Sequence, residues 1–103
     1  MIRFFLYIAF FLSSLQLYSQ NISIVQINAK WNDRHTVELR GLINAKVSFA
    51  YLEEQPKSLQ EQIKAVPTII VFKDGKPVHQ WKADLSFKLN VRIEEIQQYI
   101  DKL

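Results

Sequence analysis

The sequence predicts an α/β fold: a mixed four-stranded sheet with helices on both faces. Three observations lead there. Short β-branched runs alternate along the chain with stretches whose apolar residues recur every three or four positions. The last two apolar runs are separated by Asp74-Gly75, the signature of a tight hairpin, so antiparallel pairing joins a parallel strand–helix–strand unit. The chain has 103 residues, 49% of them hydrophobic and 22% charged, which suits one compact domain. With only 2 Gly and 3 Pro it has no flexible linker, and no repeat or low-complexity tract is visible.

Residues 1–20 read as a signal peptide. Arg3 supplies a positive start, Phe4 to Leu12 is a continuous apolar run, and Ser13, Ser14 and Gln16 form a polar exit. A membrane-spanning helix needs about 20 apolar residues, and the polar residues come too early for a comfortable span; an uncleaved anchor or a buried apolar helix is the alternative reading. The expected location is therefore outside the cytoplasm, periplasmic or extracellular, with no stable membrane span once the leader is cleaved. Residues 21–103 form the folded domain.

Within it, Ile22 to Ile27 is the first strand. Asn32 or Asp33 caps an expected helix with apolar positions Val37, Leu39, Leu42 and Ile43, weakened at Gly41 and stopped at Asn44. Val47 to Leu52 is the second strand. Pro56 and Ser58, with Glu61 three residues after Ser58, suggest a capping-box start for a short helix presenting Leu59 and Ile63. Thr68 to Phe72 is the most apolar strand and is placed centrally. Pro77 to Trp81 returns from the hairpin, and Pro77 suits a sheet edge. Lys73, Lys76 and Lys82 form a solvated, charged edge there. Asn90 is the expected cap of a last helix with the stripe Ile93, Ile96, Ile100 and Leu103. Its acidic first turn, Glu94 and Glu95, and its terminal Lys102 complement the helix dipole.

Several local sequences resemble the thioredoxin family. Ala65-Val66-Pro67-Thr68, followed by the strand to Phe72 and by Lys73-Asp74-Gly75-Lys76-Pro77, is similar to the family's cis-proline, apolar strand and Lys-Asp/Asn-Gly turn. Val25-Gln26-Ile27-Asn28-Ala29-Lys30-Trp31 resembles the strand that runs into Ala-x-Trp before the active site. Leu52-Glu53-Glu54-Gln55-Pro56 resembles the acidic turn after the next strand. The resemblance spans nearly all of residues 22–103 and implies a minimal thioredoxin-like fold, ordered strand–helix–strand–helix–strand–strand–helix. It also implies that the Val66–Pro67 bond is cis.

The departures from that family bear on function. Asn32-Asp33-Arg34-His35 stands where the family carries Cys-x-x-Cys, and the chain contains 0 cysteines. Thiol–disulfide exchange needs a thiolate to attack a disulfide sulfur, so this chemistry is excluded. Gln26 aligns with the family's buried aspartate. Without a resolving thiol to serve, a neutral amide avoids the cost of burying a carboxylate. Lys82-Ala83-Asp84 lies where the family has a glycine opposite its active site.

The resemblance also implies a surviving peptide-binding face, Trp31 with Val66 and Pro67, flanked by Asn32, Arg34 and His35, because extended-peptide pairing uses backbone rather than sulfur. The expected function is an exported, non-catalytic peptide- or protein-binding module. Two alternatives stand beside it: an enzyme with non-thiol chemistry centred on Asn32 and His35, and a degenerate thioredoxin with no dedicated ligand. His35 and His79 are the only histidines, too few for an evident metal ligand set, and no cofactor motif is present. The formal charge of +3 without clustered basic residues does not suggest nucleic acid as a partner. Trp81, Tyr51 and Phe87 are expected to serve as packing residues.

Overall fold

The computed structural model describes residues 21–103, so the expected signal peptide lies outside the described residues. Strands β1 (Ile22–Asn28) and β2 (Lys46–Tyr51) are followed by helix α1 (Lys57–Gln62). Strands β3 (Thr68–Lys73) and β4 (Lys76–Lys82) and helix α2 (Ile93–Asp101) complete the domain. The sheet order is β2-β1-β3-β4. β1 runs parallel to β2 and antiparallel to β3, and β3 is antiparallel to β4. This is the expected mixed four-stranded sheet.

The side-chain period of two divides the central strands between two cores. Val25, Ile27, Ile70 and Phe72 face one side and are covered by Leu59 of α1, with Leu52 and Ile63 at the margin. Ile22, Ile24, Ile69 and Val71 face the other and meet Ile96 and Ile100 of α2, together with Leu39. Both central strands are apolar on both faces because both faces are covered. Each fully buried Ile, Leu or Phe contributes about 1.5–3 kcal/mol of transfer free energy. At the hairpin, Lys73 pairs with Lys76, and Asp74 and Gly75 both have positive φ (54° and 80°). Those are the dihedral signs of a type I′ turn, whose twist matches the strands.

One expected element is missing. No α-helix runs through Val37, Leu39, Leu42 and Ile43. A short 3-10 segment, Lys30–His35, ends before them, and residues 36–45 follow an irregular path with positive φ at Gly41 and Asn44. The apolar spacing was a true burial signal, since Leu39 is buried and Val37 and Leu42 pack against the same core, but Ile43 is exposed. What overrides the helix is the way its backbone is satisfied. The Val37 N–H donates to Gln26 Oε1 at 2.8 Å, and Gln26 Nε2 donates to the Val37 carbonyl at 2.9 Å. Six residues on, the Ile43 N–H donates to Gln97 Oε1 at 2.9 Å, and Gln97 Nε2 donates to the Ile43 carbonyl at 3.1 Å. Two glutamine side chains thus clamp this segment like a neighbouring strand, and the clamped groups are unavailable for helical bonds.

Two helix starts also differ. Pro56 occupies the N-cap position of α1, Ser58 lies inside the helix, and its Oγ has no hydrogen-bond partner, so the capping box is not formed. The N-cap of α2 is Arg92 rather than Asn90, because Leu89 and Val91 pack against the core and keep the chain extended to that point. Its stripe holds at Ile96 and Ile100, whereas Leu103 lies beyond the helix at 36% exposure.

Replacing Gln26 by Leu leaves the N–H and carbonyl of Val37 without their partner. The expected cost is about 2 kcal/mol, measurable as a lowered urea midpoint with an unchanged m-value. Gln26→Glu keeps only the acceptor and turns a charge toward the Val37 carbonyl, so it should be no less destabilising.

Candidate functional site

The first residue after β1, Ala29, is extended and leads into the 3-10 turn whose residues 32–35 replace the cysteine motif. The Asn32 side chain points inward, and the residue is 4% exposed. Its Nδ2 lies 3.0 Å from Asn28 Oδ1, 3.0 Å from the Phe87 carbonyl and 3.4 Å from the Val66 carbonyl. Asn28, at the end of β1, returns two hydrogen bonds from its own Nδ2, to the Asn32 carbonyl at 3.0 Å and to Thr36 Oγ1 at 2.9 Å. Asn32 therefore ties three otherwise separate pieces of chain: the end of β1, the loop before β3 and the loop after β4.

The same geometry sets the histidine. Three acceptors surround Asn32 Nδ2, so its Oδ1 is the atom 2.9 Å from His35 Nδ1. An amide oxygen only accepts, so Nδ1 carries the proton and donates. His35 itself is half-buried. Asp33 turns outward instead and accepts the Tyr51 hydroxyl at 2.8 Å. That bond to a carboxylate holds the Tyr51 proton and raises the phenol above its usual pKa, with burial adding to the shift. Arg34 is exposed. Lys30 closes the rim: its backbone N–H donates to both carboxylate oxygens of Glu53 at 2.9 Å, and its Nζ lies 3.1 Å from Glu54. The acidic turn after β2 thereby anchors the entry to the 3-10 segment.

The Val66–Pro67 bond is cis, as the resemblance implies. Val66 and Pro67 are buried, and the Pro67 carbonyl accepts from the Ala83 N–H at 3.0 Å. Trp31 is 65% exposed, and its ring meets that of Phe87 edge to face at 5.0 Å. Leu85, in the same loop, is 94% exposed. Asp84 accepts from the N–H and hydroxyl of Ser86, which forms the turn that carries Leu85 outward and lowers the Asp84 carboxyl below its usual pKa. At this end of the sheet, then, the polar atoms of Asn28 and Asn32 are satisfied internally and the apolar groups Trp31, Leu85 and Phe87 face out.

His79 lies far along the sequence in β4, stacked on Tyr99 at 4.5 Å with Trp81 edge-on at 4.6 Å. Trp81 thus serves in packing, as expected. Among the described residues, no group of three His, Cys, Asp or Glu is placed to hold a metal ion. Sequence reading singled out Trp31, Val66, Pro67 and residues 32–35, and hydrogen bonds join Asn32 to both Val66 and His35. It missed Asn28, Thr36 and the Phe87 carbonyl. The signal for the first was present: two asparagines four residues apart across the end of an apolar strand, both able to satisfy a buried turn.

Asn32→Asp replaces the shared donor by an acceptor that faces two backbone carbonyls. It should destabilise the domain by about 2–3 kcal/mol at neutral pH in chemical denaturation. Asp33→Asn should lower the pH at which Tyr51 ionises, followed by tyrosinate absorbance, because a neutral amide oxygen accepts the phenolic proton more weakly than a carboxylate and no longer repels the tyrosinate.

No protein-family model matches the chain, and no curated protein matches it. Solved structures do. A thioredoxin from Schistosoma mansoni superposes with a TM-score of 0.64 at 19% identity, over 90% of this chain and 86% of that one. An N21Q mutant thioredoxin from Halobacterium salinarum gives 0.60 at 16% identity, over 81% and 74%. Oxidised thioredoxin O2 from Arabidopsis thaliana gives 0.54 at 19% identity, over 92% and 87%. At such identities the likeness establishes the fold and nothing of the activity. The chain has a thioredoxin-like fold without the Cys-x-x-Cys motif, its place taken by a buried asparagine that ties three loops together.

Proposed function

We propose that the protein is an exported, non-catalytic binding module that holds a peptide or protein partner at the exposed Trp31, beside the buried cis-proline turn of Val66 and Pro67. The observation that carries this reading is the exposure of Trp31 and Leu85 beside Phe87, on a turn whose polar atoms are consumed by the scaffold. Aromatic and aliphatic groups presented on a rigid base are what an apolar anchor residue of a partner needs. The Val66 side chain is buried and its carbonyl already accepts from Asn32, so the binding energy comes from the ring of Trp31 and the apolar residues beside it. Export follows from the composition of residues 1–20.

The rival reading, an enzyme centred on Asn32 and His35, finds less support. The Asn32 amide is spent on Asn28, Val66, Phe87 and His35, so it is a structural tie and not a free group for chemistry.

Two measurements test the proposal. Insulin reduction should not exceed the buffer control, since the chain holds no thiol. Capture of partners from the compartment that receives the protein should drop at least tenfold, about 1.4 kcal/mol, in Trp31→Ala while the fold, read by circular dichroism, is retained. Equal capture by both proteins would remove the binding role from this face.

A further inference from the structure

The two edges of the sheet are finished differently. β4 carries Pro77, a register irregularity between Val71 and Phe72 on its partner, and exposed Lys76 and Lys82. These are devices that blunt an edge against further strands. β2 has neither the proline nor the irregularity and only one lysine: its sequence is Lys-Val-Ser-Phe-Ala-Tyr, with exposed Lys46 at its start. Among the described residues, no strand pairs with its outer side.

The face beside that edge is apolar and only partly covered. Val47 and Phe49 each stay 42% exposed, and register pairs them with Ile24 and Gln26 on the side where the expected helix is absent. Phe49 and Tyr51 meet edge to face at 4.9 Å, and the Tyr51 hydroxyl is tied to Asp33, so this aromatic row is held in place. Between the row and residues 36–42 lies an open groove of about 400 Å³, floored by Gln26 and lined by Leu39 and Leu42.

We propose that two copies of this chain pair antiparallel through β2, about a two-fold axis at Phe49, and join their sheets into one of eight strands. The strand is self-complementary in that register. Phe49 meets Phe49 of the second copy and Val47 meets its Tyr51, so residues of the same face lie opposite one another, as the period of two demands. Charge agrees with the direction. Lys46 begins the strand and Glu53 and Glu54 follow its end, so antiparallel pairing brings the lysine of each copy alongside the acidic turn of the other, whose Glu54 stays largely exposed beside its own Lys30. Parallel pairing would stack like charges instead. An edge contact of this length lies at the small end of stable interfaces, so the dimer forms reversibly. The pairing leaves the Trp31 face free, and it holds whether or not that face binds a partner.

The test is sedimentation velocity of the purified protein across the micromolar range, with its amino terminus defined by mass spectrometry. The expected result is a reversible monomer–dimer equilibrium, weakened at least about tenfold by Phe49→Lys and by Val47→Lys in proteins with unchanged circular dichroism, and unaffected by Val78→Lys on the opposite edge. A wild-type protein that stays monomeric overturns the proposal, whether residues 1–20, a foreign peptide or solvent covers the edge. So does a dimer that survives the β2 substitutions or is lost only with Val78→Lys.

Discussion

Side-chain amides hold this domain together where secondary structure does not. A buried backbone group without a hydrogen bond costs about as much as several well-made contacts return. The segment between β1 and β2 is not helical, so its part-buried backbone at Val37 must find partners elsewhere, and its exposed end at Ile43 is tied in the same way. Gln26 supplies both partners of Val37 and Gln97 both partners of Ile43. Asn28 and Asn32 do the same for the turn below and for the loops carrying Val66 and Phe87. An amide suits each place because it donates and accepts at once and brings no charge to bury.

That arrangement connects the two departures from the thioredoxin pattern. Where a redox pair would sit, Asn32 is turned inward as a structural knot. Where a buried carboxylate would assist proton transfer, Gln26 clamps the irregular segment. Both positions supply hydrogen-bond capacity and no reactive group, which is coherent, because a buried charge beside no reacting thiol would only cost stability. Among the described residues, apolar groups stay exposed at Trp31 and Leu85 at one end and at Val47 and Phe49 along one edge.

The degree to which the fold was readable from sequence varies by element, for physical reasons. β1 and β3 are legible because they are apolar on both faces, and the hairpin is legible because Asp74 and Gly75 tolerate positive φ. The segment 36–45 misled because apolar spacing reports burial, not helicity: Leu39 is buried as its spacing suggests, in a backbone that is not helical. The start of α1 misled for a similar reason, since Ser58 matched a local motif while the chain entered the helix at Pro56. The sites at Trp31 and residues 32–35 were legible through resemblance, whereas the role of Asn32 was not, because two of its partners lie 34 and 55 residues away.

By itself, the sequence settled that the chain performs no thiol chemistry, that its core is a two-sided sheet, and that a tight turn joins its last strands. Composition and local periodicity are enough for those conclusions, since each depends on residue type and near neighbours. Only the tertiary structure decided that the first helix is replaced by a glutamine-clamped strap, that His35 donates from Nδ1, and that β2 is left uncovered among the described residues. Each of these rests on a bond or a gap between groups far apart in the chain, and no local pattern encodes which distant carbonyl or amide will arrive.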